Sequence, residues 1–196
     1  MLTRNSKPRI VVRPGFLLLL GFVFYLDDGS GSMLMVLVAA VIHEAGHIVA
    51  CIAMRGRVDA LTLSAVGAEL KLDYPSMISY GRENMILLAG ASVNLVLGAF
   101  SYFLGLYQMA YISLGLGIFN LLPITPLDGG RILYNLICER FHINLAEQIT
   151  AISSGIFIGG IAGIGAIWAV KFANWLPIVI SFWLLAGLMR KKTIFS

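Results

Sequence analysis

The chain has 196 residues, of which 59% are hydrophobic and only 12% charged. Soluble domains carry about one quarter charged residues, so these proportions and a mean hydropathy of +0.88 exclude an ordinary soluble domain and point to an integral membrane protein. The net charge of +4 would suit nucleic acid, but topology accounts for it below and nucleic acid is dropped as a partner.

Residues 1–13 are basic, with Arg4, Lys7, Arg9 and Arg13. Pro14 to Leu26 is apolar, and with Ile10 to Val12 it approaches spanning length. It reads as an uncleaved first span, tilted or partly interfacial. Asp27 to Ser32 is a turn. Met33 to Met54 is an apolar run long enough to cross a bilayer, which takes roughly 20 residues. It contains HEAGH, from His43 to His47. On a helix the two histidines are one turn apart on one face, so both imidazoles can bind the same zinc ion. Glu44 stands beside them, where it can handle a proton from a water activated by that ion. Ionisable side chains in a membrane span are costly, and a metal gives them a partner. The bland alternative is a polar face lining a pore, or a satisfied buried network.

Arg55 to Arg82 is the longest polar connection. Its β-branched, alternating middle, broken at Gly67, predicts a β-hairpin or a pair of short strands. Further spans are expected from Asn84 to about Leu106, Gln108 to Leu122, Ile149 to Val170 and Trp175 to Met189. Pro123 to Gly130 is expected to be irregular, and Arg131 to Phe141 a short amphipathic helix. Gly155, Gly159 and Gly163 are spaced small-xxx-small, which predicts close packing within the chain, with a dimer face as the alternative. If the N-terminus is cytoplasmic, every Lys and Arg except Lys171 falls inside, while Asp27 and Asp28 fall outside. This positive-inside bias predicts about six spans with both termini cytoplasmic.

A catalytic zinc takes three protein ligands and keeps a fourth position open. Cys51 follows on the same helix, about 6 Å further along the axis, and closes a tetrahedron poorly. It is read as a packed small residue, and with Cys138 it makes no disulfide framework. Asp27 and Asp28 are on the wrong side, Asp59, Glu69, Asp73 and Glu83 lie in the polar connection, and Glu139 and Glu147 flank a surface segment. Asp128 sits at a non-helical break in hydrophobic sequence, where it is either the third ligand or a helix N-cap. Spacing alone leaves both open.

HEAGH followed by NLLPITPLDGGR, from Asn120 to Arg131, resembles the site-2 protease family of intramembrane zinc metalloproteases, peptidase family M50. The resemblance covers roughly residues 33–135, and the FNLLPxxPLDGG wording is most similar to the branch of stage IV sporulation protein FB, which processes a membrane-associated pro-sigma factor. It implies His43, His47 and Asp128 as ligands of one zinc ion per chain and Glu44 as general base. It implies that Asn120 and Pro126 shape substrate access near the metal, and that strands around Gly67 bind substrate. Gly90 to Asn94 is similar to the family's Gly-x-x-x-Asn segment, and Asn94 is read as an interhelical hydrogen bond.

The expected fold is an all-α polytopic membrane protein of about six transmembrane helices with a small membrane-associated β-hairpin. One protease domain is expected over residues 1–196, with neither a PDZ insertion nor a C-terminal CBS domain. The expected activity is regulated intramembrane proteolysis of a transmembrane or membrane-associated protein in a bacterial cell membrane, releasing a cytoplasmic regulator. An inhibitory membrane partner and an oligomer are open. The competing readings are a metal-ion transporter using HEAGH and a catalytically inactive relative that only binds substrates.

Overall fold

The computed structural model describes residues 9–25, 29–64, 67–73 and 79–192. The basic residues Arg4 and Lys7, the acidic pair Asp27 and Asp28, the turn expected next to Gly67 and both termini lie outside the described residues. The chain forms two compact units, Met1–Ile118 and Phe119–Ser196.

The first unit begins with strand β1 (Arg9–Val12) and helix α1 (Pro14–Tyr25). Ile10 to Val12 was expected to prolong the first span. The structure instead pairs it with a later strand, which suits its β-branched run. Pro14, with its fixed φ and missing N–H, starts the helix. Helix α2 (Ser32–Ala53) carries HEAGH and begins after Gly31, whose φ of 71° needs a glycine. Strands β2 (Arg57–Ser64) and β3 (Gly67–Asp73) run antiparallel, with Leu61 opposite Leu70. β1 pairs parallel to β2, so the sheet has the order β1-β2-β3, with β3 at an edge among the described residues. The sheet's third strand is a feature the sequence reading missed.

Helix α3 (Tyr80–Phe103) lies along α2. The facing residues are small or polar: His43, Gly46 and His47 on α2 meet Gly90 and Asn94 on α3, and all five are buried. Small residues let helix backbones approach closely in a membrane, where apolar surface alone gives no reason to associate. Helix α4 (Tyr107–Asn120) follows a turn at Gly105, and its Gln108 side chain donates to Ser32 Oγ at the start of α2, at 2.6 Å.

In the second unit an irregular segment runs from Leu121 to Leu127 and contains a cis Thr125–Pro126 bond. Helix α5 (Asp128–Cys138) follows. Asp128 to Gly130 was expected to be non-helical. It forms the first turn of α5, because a Cβ on Gly130 would stand 2.5 Å from Ile124 O, so only glycine lets the helix start this close to the incoming chain. Helix α6 (Ile143–Phe172) holds the irregular segment in place. Ser154 Oγ accepts from Thr125 N at 2.9 Å and donates to Thr150 O at 2.7 Å, and Ser153 Oγ donates to Pro123 O at 2.8 Å. Ile124 and Leu127 join Ile158 and Leu184 in the core of this unit. Helix α7 (Leu176–Lys192) packs back on α6 beside Gly165. The other α6 glycines do not pack as expected: a Cβ on Gly155, Gly159 or Gly163 would meet nothing described within 4 Å.

Among the described residues three helices, α2, α3 and α6, are long and apolar enough to cross a membrane. α1 has 12 residues and α4 has 14, so neither alone reaches spanning length. The outward faces of the long helices are apolar, with Val41 and Val49 on α2, Val96 and Phe100 on α3, and Ile156 and Ile164 on α6 all exposed. Such faces are stable against lipid and not against water. The chain is an integral membrane protein.

Candidate metal centre

HEAGH lies in the middle of α2, where 22 consecutive helical residues hold the two histidines one turn apart. Both are buried, and their rings meet edge to face with centroids 4.7 Å apart. The Nε2 atoms are 3.1 Å from each other. Two nitrogens that share a tetrahedral zinc at about 2.0–2.1 Å stand about 3.3 Å apart, so the pair fits a single ion.

The other ring nitrogens are held by α3. His47 Nδ1 is 2.8 Å from Ile86 O. A carbonyl oxygen only accepts, so Nδ1 carries the hydrogen and Nε2 presents its lone pair. His43 Nδ1 is 3.4 Å from Asn94 Nδ2, and Asn94 is fully buried. Ile86, Gly90 and Asn94 are spaced four apart, along one stripe of α3. Gly90, in the middle, leaves the room: a Cβ there would stand 2.5 Å from His47 Nε2 and 3.0 Å from His43 Nε2. Gly46 on α2 allows the close approach of the two helices, since its Cβ would meet Ala89 O and Gly90 Cα at 3.0 Å.

Asp128 is the first residue of α5 and is half-buried. It is not the N-cap; Leu127 takes that position. Together, His43, His47 and Asp128 form a group that could hold a metal ion, with one ligand atom from each and all three within 4.8 Å of one another. Two imidazoles and one carboxylate are the donor set of a catalytic zinc site, which leaves a fourth position open. Cys51 is fully buried and stays outside this group, in line with its reading as a packing residue. Glu44, next to His43 on α2, is half-buried.

The remaining expected residues lie on three different elements. Asn120 ends α4 and is half-buried. Pro126 is exposed in the irregular segment and packs beside Gly187 of α7, where a Cβ would be 3.0 Å from Pro126 Cγ. Gly67 opens β3, opposite Ser64. The residue missed from sequence is Ile86, through its carbonyl; Gly90 is part of the Gly-x-x-x-Asn segment read from sequence, but the room it leaves for the two rings is visible only in the structure. The signal for Gly90 was its four-residue spacing from Asn94 within an apolar helix.

A model of peptidase family M50 matches residues 105–164. A zinc metalloprotease of Methanocaldococcus jannaschii is 26% identical over 130 residues, covering 60% of this chain and 38% of that protein. Stage IV sporulation protein FB of Bacillus subtilis is 24% identical over 158 residues, covering 76% of this chain and 54% of that protein. The chain thus spans about half the length, or less, of these curated relatives. The solved structure of a site-2 protease from Methanocaldococcus jannaschii shares the fold, with a TM-score of 0.68 at 22% identity over 96% of this chain and 93% of that one. Family model, relatives and fold point the same way: the chain is similar to peptidase family M50, the zinc metalloproteases of the site-2 protease type.

Proposed function

We propose that this protein is an intramembrane zinc metallopeptidase that hydrolyses peptide bonds in or next to the membrane span of another protein. The observation that carries this reading is the donor group of His43, His47 and Asp128, two of whose members sit on a membrane-length helix beside Glu44. Bound there, zinc supplies Lewis-acid polarisation of a water and of the scissile carbonyl. The chain's own residues do the rest. His43 and His47 hold the ion through Nε2, and Ile86 O keeps His47 turned toward it. The Glu44 carboxylate takes a proton from the attacking water and returns it to the leaving amine.

A peptide bond in a helix is shielded by its own hydrogen bonds, so the substrate has to unwind first. In this reading the unwound segment adds as a strand to the edge of β3 that is unpaired among the described residues, from Gly67 onward, while Asn120 and Pro126 shape access near the metal. Prolines placed one at a time at 67–72 would test this. At positions whose N–H points away from β2 they remove the donors a substrate needs without breaking the ladder to β2. Cleavage should fall several-fold at those positions, and a scan that leaves cleavage intact throughout would remove strand addition from the mechanism.

Arg55 and Arg57 follow HEAGH closely, so positive-inside logic puts the metal toward the cytoplasmic side. The cut then frees a cytoplasmic fragment, and a membrane-associated pro-sigma factor is the substrate the likeness to stage IV sporulation protein FB suggests.

The test is made on the purified chain in detergent, with zinc measured by mass spectrometry and cleavage followed on a tagged single-span substrate and a tagged pro-sigma factor. Wild type is expected to hold about one zinc per chain and to cut. Asp128→Ala should lose zinc to a weak chelator and stop cutting. A wild type that binds zinc, leaves every span intact and carries zinc across liposomes would replace the peptidase with a transporter.

A further inference from the structure

His43 Nε2 faces His47 Nε2 at 3.1 Å, and His43 Nδ1 faces the Asn94 amide at 3.4 Å. For His43 Nε2 to ligate a metal, the ring hydrogen must sit on Nδ1, and a buried N–H there needs an acceptor. One is at hand. Asn94 Oδ1 is buried and has no hydrogen-bond partner among the described residues. The two ends of the amide have nearly the same shape, so a half-turn about its terminal bond puts Oδ1 where Nδ2 now stands.

We infer that Asn94 is a positioning residue for the metal centre: by turning its amide it donates to His43 Nδ1 in one tautomer and accepts from it in the other, and the second tautomer frees His43 Nε2 for the metal. This rests on the zinc reading above. Asn94 is fully buried, four residues beyond Gly90 on the stripe of α3 that faces both histidines. Apolar side chains of similar volume would fill the space as well. What they lack is the acceptor, and a metal-ligating histidine depends on such an outer partner to fix its ring and tautomer.

An interhelical packing role and a positioning role order the variants differently. Aspartate offers only acceptors and holds His43 with its hydrogen on Nδ1; leucine offers neither partner. Zinc affinity is measured by competition with a chromophoric chelator, and site geometry by the visible bands of the cobalt-loaded chain, both in detergent. Asn94→Leu is expected to weaken zinc about 10–100-fold and to change the cobalt spectrum, whereas Asn94→Asp should stay within a few-fold of wild type or bind more tightly. Asn94→Ala carries the same expectation as leucine if the leucine variant fails to fold. A wild-type affinity in Asn94→Leu or Asn94→Ala, or a loss confined to Asn94→Asp, would overturn the inference and leave Asn94 a packing residue. A wild type that binds neither zinc nor cobalt would overturn the metal reading itself, and this inference with it.

Discussion

Glu44→Gln is expected to lower kcat for cleavage by about 10²–10⁴-fold, the usual contribution of a positioned general base, while zinc stays bound. The substitution keeps the size and shape of a half-buried side chain and leaves His43, His47 and Asp128 themselves unchanged. What it removes is the ability to take a proton from water. At about 1.36 kcal/mol per tenfold, the loss corresponds to roughly 3–5 kcal/mol of transition-state stabilisation, too large for a small change in packing. The measurement is turnover at saturating substrate beside zinc content. A variant within about threefold of wild type would mean that another group moves the proton. The same variant separates the classes of function: a transporter or a substrate-binding relative would keep its activity when Glu44 loses only its basicity.

The parts of this site legible in the sequence are those set by local spacing. Two histidines four apart face the same way on any helix, so His43 and His47 could be paired before any fold was known. The strands also showed, because alternation from Val58 onward is a local signal; β2 and β3 are antiparallel neighbours there. The parts that stayed hidden depend on which surface meets which. Ile10 to Val12 is apolar and β-branched, which suits a span or a strand equally, and only the parallel pairing with Ala60 to Leu63 decides between them. Asp128 could be read as a ligand or as a cap until Leu127 was found in the cap position. The glycines of α6 read as a packing face, yet only Gly165 has a helix against it among the described residues, because α7 returns near that end. Ile86 could not be found from sequence at all, since it acts through a backbone carbonyl that any residue would supply.

Gly90→Ala is expected to weaken zinc binding by up to about 150-fold while the helices stay folded. On propensity alone the change should help, because alanine is favoured over glycine in a helix interior by about 1 kcal/mol. The space decides the other way. The new methyl would stand 2.5 Å from His47 Nε2 and 3.0 Å from His43 Nε2, against about 3.5 Å or more for an unstrained contact. The atoms it strikes are His47 Cε1 and the two ligand nitrogens. His47 can yield only by turning its ring, and turning it lengthens the 2.8 Å bond to Ile86 O that sets its tautomer. Overpacking of this kind costs about 1–3 kcal/mol, or about 5- to 150-fold in affinity, and the upper end is expected because the strain falls on the donors. Zinc titration of the purified variant, with thermal unfolding in detergent as a check on the fold, gives the measurement. Gly155→Ala is the control, since its methyl would meet nothing within 4 Å and should leave zinc binding unchanged. If Gly90→Ala binds zinc like wild type, the two Nε2 atoms do not hold the ion from the positions seen here, and a metal centre built on that 3.1 Å pair has to be given up.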